Sequence, residues 1–136
     1  MNVTVKQNFF PLQYYAETNV AKIRVGANQH NKEDLTFRPM ELILTGLASC
    51  SAIDIENILR KQKVDFTELT IEATGVRADT IPGVFTSIDL KIQLKGAVPE
   101  QKLTRAIQLT KDKYCSVYHM LKDNVDINYS YQIIPS

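Results

Sequence analysis

The two cysteines, Cys50 and Cys115, are the residues whose chemistry is most informative in this sequence. Cys50 lies in an apolar stretch rich in small residues, where a cysteine often serves as a small hydrophobic packing residue. Cys115 follows two lysines and lies where one predicted helix ends and another begins, and both features favour a thiolate. His119 follows four residues later, on the same predicted helical face, and could pair with Cys115. The residues alone favour a packing role for each cysteine and leave a redox pair open.

Other standard sites have no support in the sequence. Dinucleotide, P-loop, nucleophile-elbow and zincin motifs are absent. His30 and His119 are the only histidines, and both cysteines lack ligand-type spacing, so we predict no structural metal site. The 16 basic and 15 acidic residues leave a net charge of +1, which gives no field to attract nucleic acid or anionic lipid.

Length and composition predict one soluble globular domain over residues 1–136, with 44% hydrophobic residues to fill a core. The first ten residues contain no apolar segment typical of a signal peptide. The longest nearly apolar stretch, Leu42–Ala52, has about 11 residues, whereas a membrane span needs about 20. We therefore expect a cytoplasmic protein that does not contact membranes. Thiols are reduced there, so a transient redox pair or two inert buried thiols remain possible.

Alternating Val3 and Val5 before Phe9 predict a first strand that ends at Pro11, followed by a hairpin of Tyr14–Glu17 with Lys22–Val25. Residues Gly26–Thr36 are polar and predict a loop. A second, longer hairpin, two helices and a closing strand follow, at Leu69–Ala73, Ile88–Leu94, Pro99–Tyr114, Cys115–Leu121 and Val125–Ile133. This order predicts an α+β fold with antiparallel strands, because regular βαβ alternation is lacking.

The helix between the two hairpins is predicted to begin at Pro39. From Leu42 to Ile53 it is apolar on nearly every face, and it becomes amphipathic after Asp54. A helix that is apolar all round needs apolar partners on all sides. Gly46 and Ala48 would let a symmetric partner helix approach, so we predict an obligate homodimer.

Two segments resemble known family motifs. Arg38–Asp54 resembles the central-helix signature of the OsmC/Ohr family, and Lys113–Val117, with the Met120 and Leu121 that follow, resembles its second cysteine motif. Together with the order of elements, the resemblance covers nearly the whole chain and is strongest to the YhfA-like branch. It implies an OsmC-like fold, in which antiparallel sheets surround a long buried central helix in an intertwined homodimer.

The resemblance also implies thiol-dependent reduction of hydroperoxides in oxidative or osmotic stress defence, at two sites on the dimer interface. The Cys50 thiolate would attack an organic hydroperoxide and become a sulfenic acid. Cys115 would then form a disulfide with it, and an external thiol reductant would restore both thiols. This chemistry needs no metal and no organic cofactor.

The chain departs from the family pattern beside Cys50. Peroxide-reducing members activate this cysteine with an arginine from the N-terminal hairpin and a glutamate directly after the helix-opening proline. Here Met40 follows the proline, and Glu41, one position later, faces away from Cys50 at 100° per residue. We keep Glu41 as a candidate catalytic residue, although a first-turn dipole role fits its position better.

A basic residue that could activate Cys50 must be sought elsewhere, and the candidates are Arg38, Arg24 and Lys22. Arg38 is our candidate catalytic residue, and the alternative is a solvated surface arginine, which is the commoner role of a lone arginine. It lies roughly 18 Å of helix before Cys50 of its own chain, so it would act on the partner subunit. Asp54, one turn after Cys50, would disfavour the thiolate. An alternative is therefore a non-catalytic dimer that binds a small apolar ligand between its subunits.

Overall fold

The computed structural model describes residues 1–27 and 35–135, so His30 and most of the predicted loop lie outside the described residues. The chain divides into two compact units at residues 43 and 44. The prediction of one domain over residues 1–136 stays a prediction. The helices and strands are β1 (Thr4–Gln7), β2 (Gln13–Glu17), β3 (Lys22–Gly26), α1 (Pro39–Lys61), β4 (Glu68–Arg77), β5 (Phe85–Lys95), α2 (Glu100–Leu109), a π-helical turn (Thr110–Tyr114), α3 (Ser116–Leu121) and β6 (Asp126–Ile134).

The first unit is built on an antiparallel sheet in the order β1-β2-β3. The predicted hairpin of β2 and β3 is confirmed, and Thr18 closes its turn. Thr18 Oγ1 accepts hydrogen bonds from the backbone N–H of Val20 at 3.2 Å and of Ala21 at 3.0 Å. Threonine is favoured in such turns because its hydroxyl satisfies backbone donors that the turn leaves without a strand partner.

The second sheet has the order β4-β5-β6. β4 and β5 form the predicted antiparallel hairpin, but β6 pairs with β5 in parallel. The prediction of antiparallel strands is therefore wrong for this pair, while the α+β class is confirmed. The chain leaves β5 through α2, the π-helical turn and α3, and such a crossover of a dozen or more residues returns it in the same direction.

The core of the second unit lies on one face of this sheet. Alternate residues of β5 are fully buried, as their pattern predicts: Ile88, Leu90, Ile92 and Leu94. Ile92 and Leu94 share a cluster with Ile55 and Leu59 of α1 and with Leu103 and Ala106 of α2. The sheet thus supports the C-terminal half of α1 and the buried face of α2.

Helix α1 begins at Pro39, as predicted, but it is not buried on all sides within this chain. Its buried residues follow one stripe at four-residue spacing, namely Leu47, Ser51, Ile55 and Leu59. Ile53, on another face, is 59% exposed. Within one chain the sheet covers only one side of the helix, and the predicted burial of the other side by a partner helix stays a prediction.

The length and composition of α1 would also allow it to cross a membrane. It has 23 residues, and an 18-residue window within it reaches a mean hydropathy of 1.4, with 22% of that window buried. A core helix of a globular protein has the same properties. The buried stripe of α1 packs on the protein's own sheet, which favours a core helix over a membrane span.

Candidate active site

Three side chains meet where α1 passes the start of α3. Cys50 and Asp54 lie one helical turn apart on α1, and Cys115 directly precedes α3. The two Sγ atoms and an Asp54 carboxylate oxygen all lie within 4.8 Å of one another. Both cysteines are free thiols. The structure thus brings together the two cysteines that the sequence singled out, although 64 residues separate them in the chain.

Cys115 is held at the N-terminal end of α3 by its own backbone and side chain. Its N–H donates to the carbonyl of Thr110 at 2.9 Å, and this bond closes the π-helical turn. Its Sγ accepts a hydrogen bond from the N–H of Tyr118 at 3.4 Å and so caps α3. The predicted position of Cys115 at the start of a helix is confirmed.

Burial, however, has the largest effect on the pKa of the Cys115 thiol. The residue is fully buried, and the loss of solvent raises the pKa of its thiol. The hydrogen bonds from Tyr118 and Ser51 lower this pKa by less than burial raises it. The expectation of a thiolate favoured by the helix end and the nearby lysines is therefore wrong, because a six-residue helix end does not offset full burial.

The lysines and the histidine near Cys115 in sequence have other neighbours. Lys111 Nζ lies 5.8 Å from the centre of the Tyr129 ring, and Lys113 Nζ lies 5.5 Å from that of Tyr114. The His119 ring packs edge-on against Tyr118, with 5.7 Å between ring centres. His119 Nε2 is buried and makes no hydrogen bond to any residue in the described ranges. The suggested pairing of His119 with the Cys115 thiol is not observed between these residues.

A buried pair of hydroxyl groups adjoins Cys115. Ser51 is fully buried on α1, and its Oγ lies 2.8 Å from the Tyr129 hydroxyl and 3.6 Å from Cys115 Sγ. Burial raises the pKa of Tyr129 far above its ordinary value, so the phenol stays neutral. The sequence analysis missed both hydroxyl residues. The available signal was Ser51, a serine directly after Cys50 in the largely apolar part of the helix.

Asp54 brings a carboxyl group to the two thiols. The residue is half-buried, its Oδ2 is shielded from solvent, and this atom has no hydrogen-bond partner within residues 1–27 and 35–135. Burial raises the pKa of the Asp54 carboxyl. The prediction that Asp54 lies beside Cys50 is confirmed, because residues four apart share one helical face.

A small cavity extends from Asp54 between α1 and the end of α2. Its volume is about 280 Å³, and Ile58, Leu109 and Tyr114 supply apolar walls. This volume is at the lower end of the range for small-molecule sites. The cavity shares Asp54 with the cysteine cluster, and its polar lining residues also include Asn57, Lys61 and Gln62.

Arg38 and Glu41 lie in the first unit and interact with each other. Glu41 Oε1 accepts hydrogen bonds from the Arg38 backbone N–H at 2.8 Å and from Arg38 Nε at 3.2 Å. These contacts form one half of a capping box, and they hold the pKa of Glu41 below its usual value. The interpretation of Glu41 as a first-turn residue is confirmed, while a catalytic role for either residue stays a prediction.

Comparison with known proteins places this chain in a family. Residues 30–130 match the family model of OsmC-like proteins, and the chain belongs to this family. Among its relatives is Protein YhfA of Escherichia coli K12, which is 35% identical over 105 residues, or 76% of this chain and 78% of YhfA.

Solved structures share the architecture over nearly the whole chain. A hypothetical protein from Aquifex aeolicus VF5 matches with a TM-score of 0.87 at 27% identity, over 99% of this chain and 96% of that chain. The organic hydroperoxide resistance protein OhrB of Bacillus subtilis matches with a TM-score of 0.67 at 14% identity, over 97% and 98%. At that identity the likeness to OhrB shows the fold alone.

Proposed function

We propose that this protein reduces organic hydroperoxides with the thiols of Cys50 and Cys115. The observation that carries the proposal is the approach of two free thiols, from distant parts of the chain, to within 4.8 Å. Membership of the OsmC-like family supports it, since proteins of this fold include one named for organic hydroperoxide resistance. A peroxide-related stress role is the function class that these observations favour.

The two cysteines have different roles because their exposure differs. Half-buried Cys50 is accessible to peroxide, whereas Cys115 is fully buried. The Cys50 thiolate attacks the outer oxygen of ROOH, the O–O bond breaks, and one proton is taken up to give ROH and a Cys50 sulfenic acid. The Cys115 sulfur then attacks this sulfenic acid, and a disulfide forms with release of water. An external dithiol reduces the disulfide and is itself oxidised.

A homodimer is part of the proposal. The 18-residue apolar window of α1 is only 22% buried in the single chain, and Ile53 projects from it with 59% exposure. A second copy that packs its own α1 on this open face would remove this apolar surface from water. Free thiols in the reduced state fit a cytoplasmic location.

The cavity beside Asp54 favours a second candidate function, the binding of a small apolar ligand without chemistry. Its walls from Ile58, Leu109 and Tyr114 suit an apolar group. The pairing of Arg38 with Glu41 also leaves both side chains engaged at the start of α1. A ligand-binding protein of this kind would leave both thiols intact in the presence of peroxide.

Counting thiols distinguishes the two functions. The reduced protein is treated with one equivalent of cumene hydroperoxide, and free thiols and intact mass are then measured. Peroxidase activity predicts the loss of both thiols and of two hydrogens per chain, with one equivalent of cumyl alcohol formed. Ser49→Ala is a matched control, because Ser49 neighbours Cys50 in sequence but is exposed and donates to carbonyls of its own helix. Two intact thiols after treatment with cumene hydroperoxide would refute the proposed peroxidase activity.

A further inference from the structure

The cysteine cluster also has the composition of a metal site. Two thiols and one carboxylate are ligand types that zinc-class cations bind. Cys50 Sγ, Cys115 Sγ and an Asp54 oxygen already lie within 4.8 Å of one another. In a tetrahedral site with bonds of about 2.3 Å to sulfur and about 2.1 Å to oxygen, these atoms would be about 3.5–3.8 Å apart. The side chains therefore need to close by about 1.3 Å at most.

A second observation points to a ligand at this place. Asp54 Oδ2 is shielded from solvent and has no hydrogen-bond partner in the described part of the chain. Shielded polar atoms without partners are rare in folded proteins, and each calls for an explanation. A cation held between the carboxylate and the two sulfurs would supply the missing partner.

We propose that the reduced protein binds one soft divalent cation of the zinc class through Cys50, Asp54 and Cys115. On binding, each thiol loses one proton, the Asp54 carboxylate donates an oxygen, and the complex of M²⁺ with three anionic ligands carries a charge of −1. A water molecule completes four-fold coordination, because half-buried Cys50 keeps part of its surface in solvent.

This site is linked to the redox state of the cysteines. A Cys50–Cys115 disulfide has no thiolate to offer, so only the dithiol form binds the cation. The inference departs from the prediction of no structural metal site, which considered ligand spacing along the chain. Here the ligands come from α1 and from the residue before α3. The proposal does not depend on peroxide chemistry.

The test is an anaerobic titration of the reduced, metal-free protein with Co²⁺, with no peroxide present. We expect a thiolate-to-cobalt charge-transfer band in the near ultraviolet that saturates at one equivalent and is abolished by Zn²⁺. Cys50→Ser and Cys115→Ser should lose the two-thiolate band, and Asp54→Asn should weaken binding at least about tenfold. Glu56→Gln is the matched control, because Glu56 lies on the same helix and pairs at the surface with Arg60.

The titration of the wild-type protein decides the question even where a variant fails to fold. Absence of the charge-transfer band after one equivalent of Co²⁺ would overturn the proposal. An unchanged affinity in folded Asp54→Asn would also overturn it, since the carboxylate would then not be a ligand. Because peroxide is left out, neither outcome bears on the peroxidase.

Discussion

Replacement of Tyr129 by phenylalanine tests the buried hydroxyl pair that adjoins Cys115. The variant keeps the ring and removes only the hydroxyl, which lies 2.8 Å from Ser51 Oγ. Ser51 is fully buried, so its hydroxyl would lose its best partner and keep only the weaker contact to Cys115 Sγ at 3.6 Å. A buried hydrogen bond contributes about 1 kcal/mol to stability, and a buried polar group that is left without a hydrogen bond costs about 1–3 kcal/mol. We expect the free energy of unfolding to fall by about 1–2 kcal/mol.

Urea unfolding of the reduced protein measures this effect, and the slope of the transition should stay unchanged. The matched control is Tyr131→Phe, because Tyr131 lies two residues along the same strand but donates to Glu100 at the surface. The control should unfold at nearly the wild-type urea concentration. In the double variant with Ser51→Ala, the coupling free energy should be about 1 kcal/mol. Superimposable unfolding curves for Tyr129→Phe and wild type would refute the reasoning.

Three further predictions concern the charged and apolar surroundings of Cys50. Burial raises the folded-state pKa of Asp54. Above that pKa the buried carboxylate is charged and lowers the free energy of unfolding, whereas below the unfolded-state pKa of about 3.9 it is neutral and this loss disappears. Asp54→Asn, in a chelator, should therefore increase the free energy of unfolding at pH 7, and a gain that did not shrink in acid would contradict this. If Arg38 activates Cys50 of the partner subunit, Arg38→Met in a Cys115→Ser background should slow Cys50 alkylation at pH 7 by at least about twofold, and an unchanged rate would exclude it. Light scattering at micromolar concentration should find a wild-type dimer and an Ile53→Lys monomer, and a folded wild-type monomer would refute the dimer.

Local patterns predicted the elements well. The alternation along β5 anticipates its buried face, and Pro39 anticipates the start of α1, because both signals depend on a few adjacent residues. The four-residue spacing of Cys50 and Asp54 likewise predicts their contact. The direction of β6 could not be predicted, since it depends on where the crossover through α2 and α3 returns the chain.

The environment of Cys115 shows most clearly what local patterns miss. Its sequence neighbours include two lysines and a histidine, and they suggest a favoured thiolate. In the folded chain, burial and the contacts of Ser51 with Cys115 and Tyr129 matter more, and these residues are distant in sequence. The close approach of Cys50 and Cys115 also depends on packing between distant elements. The family resemblance anticipated it, whereas the spacing of the cysteines did not.

The order of oxidation tests most directly whether Cys50 and Cys115 work as a peroxidase pair. Each single Cys→Ser variant is treated with one equivalent of cumene hydroperoxide in the presence of dimedone, which traps sulfenic acids, and the labelled peptide is identified by mass. With Cys115 replaced, Cys50 should be labelled, because it is half-buried and has no resolving thiol. With Cys50 replaced, fully buried Cys115 should remain unlabelled. An unlabelled Cys50, or a labelled Cys115, would contradict the assigned roles.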